Sequence, residues 1–268
     1  MGKRLIVPNA NFSENALAIP MRVTVAANQT ITVDGVSYTA GEEDTVFELN
    51  SFSWLRNQFN KIKNLKIEVD QIGNPTDYIH NGDFGMFPSG EGITDTIDIS
   101  KCGRVYLGQY ICYHNPVKTF IGFEKIVLGR TIANNYTVMP CLSSVENKLT
   151  TGNFIEGSNF KNLFFSTGCT EVDCSSLTII TNCNNMFGYD STYVVKMIKK
   201  INLANADFSL IDESDTDLYA NMFKNDNQLT EIIVTNCNAA SKTFLINRLA
   251  DAGFTFTEST PGVLTKSV

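Results

Sequence analysis

Leu229-Thr-Glu-Ile232-Ile-Val234-Thr-Asn-Cys237 is the stretch that decides how the rest of this chain is read. Its apolar residues follow an L-x-x-L-x-L-x-x-C spacing. Ile232 and Val234 are two apart, so on a short strand both point to one side. Leu229 closes the turn that leads in. The last position sits at a tight corner, where Asn or Cys is small enough to fit and an Asn can bond exposed backbone groups. Working outward, the same template fits Ile198, Ile201, Leu203, Ala206, and Thr94, Ile97, Ile99, Cys102. It also fits Phe123, Ile126, Leu128, Thr131, and Ile62, Leu65, Ile67, Asp70. In the middle two readings overlap, Cys169, Val172, Cys174, Leu177 and Cys174, Leu177, Ile179, Asn182. Starts at 62, 94, 123, 169, 198 and 229 are separated by 32, 29, 46, 29 and 31 residues. A period near thirty predicts stacked units of one kind, and the 46-residue gap predicts an insertion, with Phe160–Phe165 as an extra strand inside it.

The spacing is that of leucine-rich repeats, so the expected fold is mainly β with short helices. It would be an irregular leucine-rich-repeat solenoid over residues 51–260, with a small N-terminal β cap over 1–50 and a polar tail over 261–268. A second repeated element supports this. Asn185-Met186-Phe187 and Asn221-Met222-Phe223 each precede a template strand, and Thr-Asn-Cys-Asn occurs at 181–184 and again at 235–238. The Met and Phe are expected to plug the convex side of each unit.

The segments Cys183–Phe187, Lys200–Asn205 and Ala220–Val234 resemble the BspA-type leucine-rich repeats of bacterial surface proteins, in which an N-M-F turn precedes an L-x-x-I-x-L strand. That resemblance implies a non-enzymatic protein built for adhesion or display. The opening Lys3-Arg-Leu-Ile-Val-Pro-Asn-Ala-Asn-Phe-Ser13 is similar to the start of phage tail, fibre and virion-surface proteins of gut anaerobes, which implies a place on a virion. The two together imply a repeat module mounted on a phage particle, with a bacterial cell-surface adhesin as the alternative. The implied partner is a protein or glycan at a cell or virion surface; a homo-oligomer stays open, and no residue is assigned to a binding face.

Elsewhere, Val23-Thr-Val25, Thr30–Val33 and Val36-Ser-Tyr38 alternate as strands do, and Asp34-Gly35 between the last two is a hairpin signal. Ser51 to Lys63 reads as a short helix with Trp54, Leu55, Phe59 and Ile62 on one face, Trp54 being core. Ala240 to Ala252 reads as a second helix ended by Gly253, followed by a last strand through Phe254 and Phe256.

Hydrophobic residues make up 43% of the 268, enough for a substantial core, and charged residues only 18%. The net charge of −7 argues against nucleic acid, which a basic face would attract. The lysine clusters at Lys61, Lys63 and Lys66 and at Lys196, Lys199 and Lys200 are short and read as solvated faces. No run approaches a membrane span, and Leu5, Ile6 and Val7 are too few for a signal peptide's apolar stretch. Seven cysteines, an odd and scattered set with no Cys-x-x-Cys, read as small buried hydrophobes. Cys112 and His114 would share one strand face, as a nucleophile and base require, which keeps a small hydrolase as a third alternative, but any strand produces that alternation. Asp212-Glu-Ser-Asp215-Thr-Asp217 lacks the Gly and distal Glu of a calcium loop, so Ser214 or Asp215 is expected to cap a short helix running to Phe223. Gly82, Gly85, Gly90 and Gly92 lie in an expected surface loop over 73–93. The sequence thus predicts no enzyme, no catalytic or metal-binding residue and no cofactor.

Overall fold

A computed structural model describes residues 21–33, 35–49, 58–68, 71–72, 92–107, 117–128, 144–152, 159–189 and 198–267. The described chain is mainly β. Four strands open it: β1 (Met21–Val25), β2 (Thr30–Val33), β3 (Val36–Thr39) and β4 (Thr45–Leu49). Next come β5 (Ile62–Ile67), β6 (Gln71–Ile72), β7 (Thr96–Asp98), β8 (Arg104–Leu107), β9 (Thr119–Ile121) and β10 (Ile126–Leu128). The C-terminal half holds β11 (Leu149–Thr150), β12 (Glu171–Asp173), β13 (Lys200–Asn202), β14 (Glu231–Ile233), helix α1 (Ala239–Asp251), β15 (Phe256–Thr260) and β16 (Val263–Lys266). Among the described residues α1 is the one α-helix, and no helix is long and apolar enough to cross a membrane.

Short parallel strands pair in register through one inward residue each. Leu65 lies beside Ile97 and Ile97 beside Phe120 in the sheet β4-β1-β5-β7-β9. Leu149, Val172, Ile201 and Ile232 follow one another in the sheet β11-β12-β13-β14-β16-β15. All seven are at most 1% exposed, whereas the residues flanking them on the three-residue strands face outward. The seven inward residues are 32, 23, 29, 23, 29 and 31 positions apart.

Local chemistry ends each strand. Asp98, Asp173 and Asn202 accept the N–H two residues on, from Ser100, Ser175 and Ala204, at 2.9, 3.1 and 3.1 Å. This side-chain turn bends the chain away after three residues of strand. The corner thiols then bond the preceding unit: Cys102 donates to the Ile67 carbonyl and Cys237 to that of Leu203, at 3.3 and 3.0 Å. Thr94, in a slot the template keeps for an apolar residue, is fully buried and donates to the Ile62 carbonyl at 2.8 Å.

The two sheets meet at Asn147. Its Oδ1 accepts the Phe120 N–H and its Nδ2 donates to the Phe120 carbonyl, both at 2.9 Å. One side-chain amide stands in for the backbone of a missing strand. Beside it, Gly152 passes so close to Glu124 that a Cβ there would collide with the Glu124 carbonyl oxygen.

Antiparallel strands close both ends. At the N-terminal end β1 pairs with β5 and carries β4; at the other, β16 pairs with β14 and carries β15. The β2–β3 hairpin turns at Gly35, at φ +77°, with Val33 opposite Val36. Gln58 holds it, accepting from the Thr32 N–H at 2.7 Å and donating to the Thr32 carbonyl at 2.9 Å. Helix α1 starts on Asn238, whose side chain accepts the Ser241 N–H at 2.7 Å, and stops at Gly253 with φ +85°. It buries Phe244, Leu245 and Leu249 over the last unit. One apolar cluster runs from Met21 to Leu264.

Several sequence expectations need correction. Phe123, Ile126 and Leu128 do not continue the row of Ile97. Ile126 pairs with Val105 in a separate sheet, β10-β8-β6, and the strand beside β7 is β9 with Phe120 inward. The helix over Ser51–Lys63 does not reach its expected end, because residues 58–60 form a turn and β5 begins at Ile62; residues 51–57, with Trp54, lie outside the described residues. Phe160–Phe165 is largely turn, not a strand. Of the two central readings the structure takes Cys169, Val172, Cys174, Leu177, all at most 2% exposed, while Ile179 is 49% exposed. Residues 263–266 are strand rather than tail, with Leu264 buried opposite Ile232.

Candidate functional site

Two surfaces hold chemistry. The first is the outer face of β11–β14. Lys148, just before β11, lies in one row with Glu171, Lys200 and Glu231, the register pairing 171 with 200 and 200 with 231. Lys148 meets Glu171 at 3.1 Å and Asp173 at 3.5 Å; Lys200 meets Glu231 at 2.7 Å. The Glu171 carboxylate holds the Lys148 ammonium above its ordinary pKa, and Glu231 does the same for Lys200. In the next row Asp173 accepts from Asn202 Nδ2 at 3.1 Å. Burial acts to raise the Asp173 carboxyl, but the Ser175 hydroxyl and N–H and the Lys148 charge outweigh it and leave it lowered. Strands about 4.8 Å apart make this a flat strip of alternating sign. It is charge-compensated, so it offers shape and directed hydrogen bonds rather than a net field.

The second surface is a recess of about 670 Å³ between the last turn segment and the end of α1, lined among others by Tyr219, Asn221, Lys224, Asn225, Arg248 and Asp251. It arises from a feature of the opposite side of the units. Asn162, Asn185 and Asn221 each take a left-handed backbone, at φ 60°, 54° and 62°. Asn tolerates that conformation, since its short side chain bonds locally. The two residues after each are buried, Leu163-Phe164, Met186-Phe187 and Met222-Phe223. Phe123, Phe164, Phe187 and Phe223 form a column with centroids 5.8, 6.0 and 5.8 Å apart. Arg248 reaches over this end of the molecule. Its side chain is 10% exposed, its guanidinium stands 4.1 Å from the Tyr219 ring centre, and one nitrogen meets Asp251 at 3.2 Å. Its Nε and Nη1 are buried without a hydrogen-bond acceptor.

The residues singled out in the sequence do not converge on either surface. Cys112, His114, His80, Gly82, Gly85 and Gly90 lie outside the described residues, and so does Cys141. The five described cysteines are buried. Burial pushes the Cys169 thiol up to about 12 and raises those of Cys174, Cys183 and Cys237. The acidic run makes turns: Asp212 accepts the Ser214 N–H at 2.9 Å, and Asp215 caps a single 3-10 turn, Thr216–Leu218, rather than a helix to Phe223. No group of three His, Cys, Asp or Glu among the described residues could hold a metal ion.

Sequence reasoning missed two things. Asn162-Leu163-Phe164 is a third copy of the Asn-x-Phe turn, visible as Asn two before Phe once Leu is allowed for Met. Asp226 is a carboxylate only 1% exposed with neither oxygen hydrogen-bonded, and burial pushes it up to about 8. Nothing in the pattern around it announces a buried acid. Comparison with protein-family models, with curated proteins and with solved structures gives no match.

Proposed function

We propose that this chain is a short leucine-rich-repeat solenoid acting as a non-catalytic structural or adhesive protein, a component of a phage virion or fibre. In this reading it binds a surface protein or glycan through the outer face of β11–β14 and the loops beside it. The observation that carries the reading is the in-register row of Leu149, Val172, Ile201 and Ile232. Parallel units that bury one residue each and turn away after three make an extended, rigid face from short segments. The BspA-like N-M-F turns support the repeat assignment, and the phage-like opening supports the location.

The test joins location to binding. Antibody against the full chain, with gold label, is applied to phage particles and cell envelopes from the same culture, and the chain is applied to arrays of surface glycans and proteins. Label on particles, with array binding that Glu171→Lys/Glu231→Lys abolishes while the melting temperature stays near wild type, is the expected result. Label on envelopes alone would move the protein to the bacterial surface. No array binding, or binding that ignores the double substitution, would remove the strand face as the contact.

A further inference from the structure

The first row of strands is sealed at its C-terminal end by β16 and β15, but the turn row on the opposite side is not. In that row each unit donates to the next. The N–H groups of Phe160, Asn162, Phe164 and Ser166 meet the carbonyls of Asn182, Asn184, Met186 and Gly188 at 2.8, 2.9, 2.8 and 2.9 Å. Those of Cys183, Asn185, Phe187 and Tyr189 meet Leu218, Ala220, Met222 and Lys224 at 2.8, 3.2, 2.9 and 2.8 Å. The equivalent positions in the last unit are Tyr219, Asn221, Phe223 and Asn225. Tyr219 bonds within its own turn, to Thr216. Among the described residues the N–H groups of Asn221, Phe223 and Asn225 donate to no acceptor. Asn221 and Asn225 are exposed, and Phe223 is buried between them. All three line the 670 Å³ recess.

We infer that this recess takes a peptide of a partner protein in the same turn conformation, whose carbonyls at alternate residues continue the turn row and whose acidic side chain faces Lys224. The inference deepens the adhesive reading by naming a second contact, away from the strand face. An unfinished backbone row is a template for added chain, and backbone bonds supply affinity while side-chain contacts supply choice. The volume lies within the roughly 300–1,000 Å³ of pockets that enclose a compact ligand. Lys224 is exposed and makes no ion pair among the described residues. Arg248 adds a second cation, partly occupied by Asp251 at 3.2 Å and Glu213 at 3.8 Å, and Tyr219 holds it at the rim, so Lys224 is the cation open to a partner. A preference for an acidic partner follows.

The probe is a synthetic peptide of residues 214–226, the segment whose carbonyls already receive this row's N–H groups one unit earlier. It is added to the full chain at up to about 1 mM, a weak affinity within reach of such a contact. Amide exchange of residues 219–226 and peptide fluorescence are followed. The expected result is exchange at 221, 223 and 225 slowed at least tenfold, Lys224→Glu weakening binding at least fivefold and Asp251→Asn tightening it. Ala252→Phe, which fills the recess, abolishes binding; Lys224→Glu, at an exposed side chain, covers the case in which Ala252→Phe unfolds. No binding up to that concentration, binding indifferent to Lys224→Glu, or the same response to acetate alone would overturn the inference. None of these outcomes bears on array binding through β11–β14, so the two readings fail separately.

Discussion

The N-terminal and C-terminal halves build one side of the molecule alike and the other side differently. In both, three-residue strands stack through a single inward residue. In the N-terminal half the chain returns through a second parallel sheet, β10-β8-β6, with Val105 and Ile126 inward. In the C-terminal half it returns through left-handed Asn turns and a column of phenylalanines. An alternating apolar pair can serve either side, but a three-residue Asn-x-Phe turn can serve only one. The inward strand therefore defines the unit, and the return path is a local choice.

The comparison can be broken first at the phenylalanine column. Phe187→Ala removes one of its two inner rings and should cost about 3–5 kcal/mol in denaturant unfolding. Exchange protection should fall at residues 160–189 and 218–224 before it falls at β5–β9; uniform loss would mean that the halves unfold as one. Next is the joint. Gly152→Ala drives a methyl group into the Glu124 carbonyl and should cost at least about 1–3 kcal/mol, uncoupling the halves into two thermal transitions by calorimetry. Asn147→Ala removes both bonds to Phe120 at the same place and should cost about 1–3 kcal/mol without a new clash; an unchanged unfolding midpoint would mean that Asn147 does not hold the halves together.

Asp226 sharpens the comparison inside the C-terminal half. Its folded pKa of about 8 lies above the ordinary 3.8, so between those values the folded state holds a proton that the unfolded state has released. Stability from this group is full below pH 4, falls as pH rises, and levels off above pH 8. Asp226→Asn should flatten that fall, so that the variant gains on the wild type with rising pH; parallel curves would refute the raised pKa. The smallest effect is expected on the strip. Lys200→Glu should change stability by no more than about 1 kcal/mol, because the pair with Glu231 is part-exposed and screened.

The C-terminal half was the more legible because β12 and β13 each carry one apolar residue between polar ones, and Asn-x-Phe turns mark the returns. Leu229, Ile232, Val234 and Cys237 all took the positions read for them. In the N-terminal half Phe123, Ile126 and Leu128 fit the same template as Ile97, yet Phe123 lies in a 3-10 turn and Ile126 and Leu128 belong to the return sheet, since an apolar pair two apart suits a strand on either side. The true neighbour of Ile97 is Phe120, followed by Gly122 where the template wants a side chain. Gly122, at φ +89° with a hypothetical Cβ 2.5 Å from the Ser100 nitrogen, is required by that close approach, and it hides the pattern. The recess was not legible at all. Arg248 is one polar residue on a helix, and the unfinished backbone row is a property of where the stack stops.

The antiparallel flanks also limit how the parallel stack can be extended. A parallel strand offers evenly spaced, slanted bonds, whereas an antiparallel one offers them in alternating narrow and wide pairs. With the antiparallel β4 and β15 outermost, a further copy of the same motif finds the wrong bond rhythm at either terminus. Growth is arrested by geometry rather than by charge, and splicing an additional module between β13 and β14 should lengthen the protein by one strand width while leaving both terminators untouched.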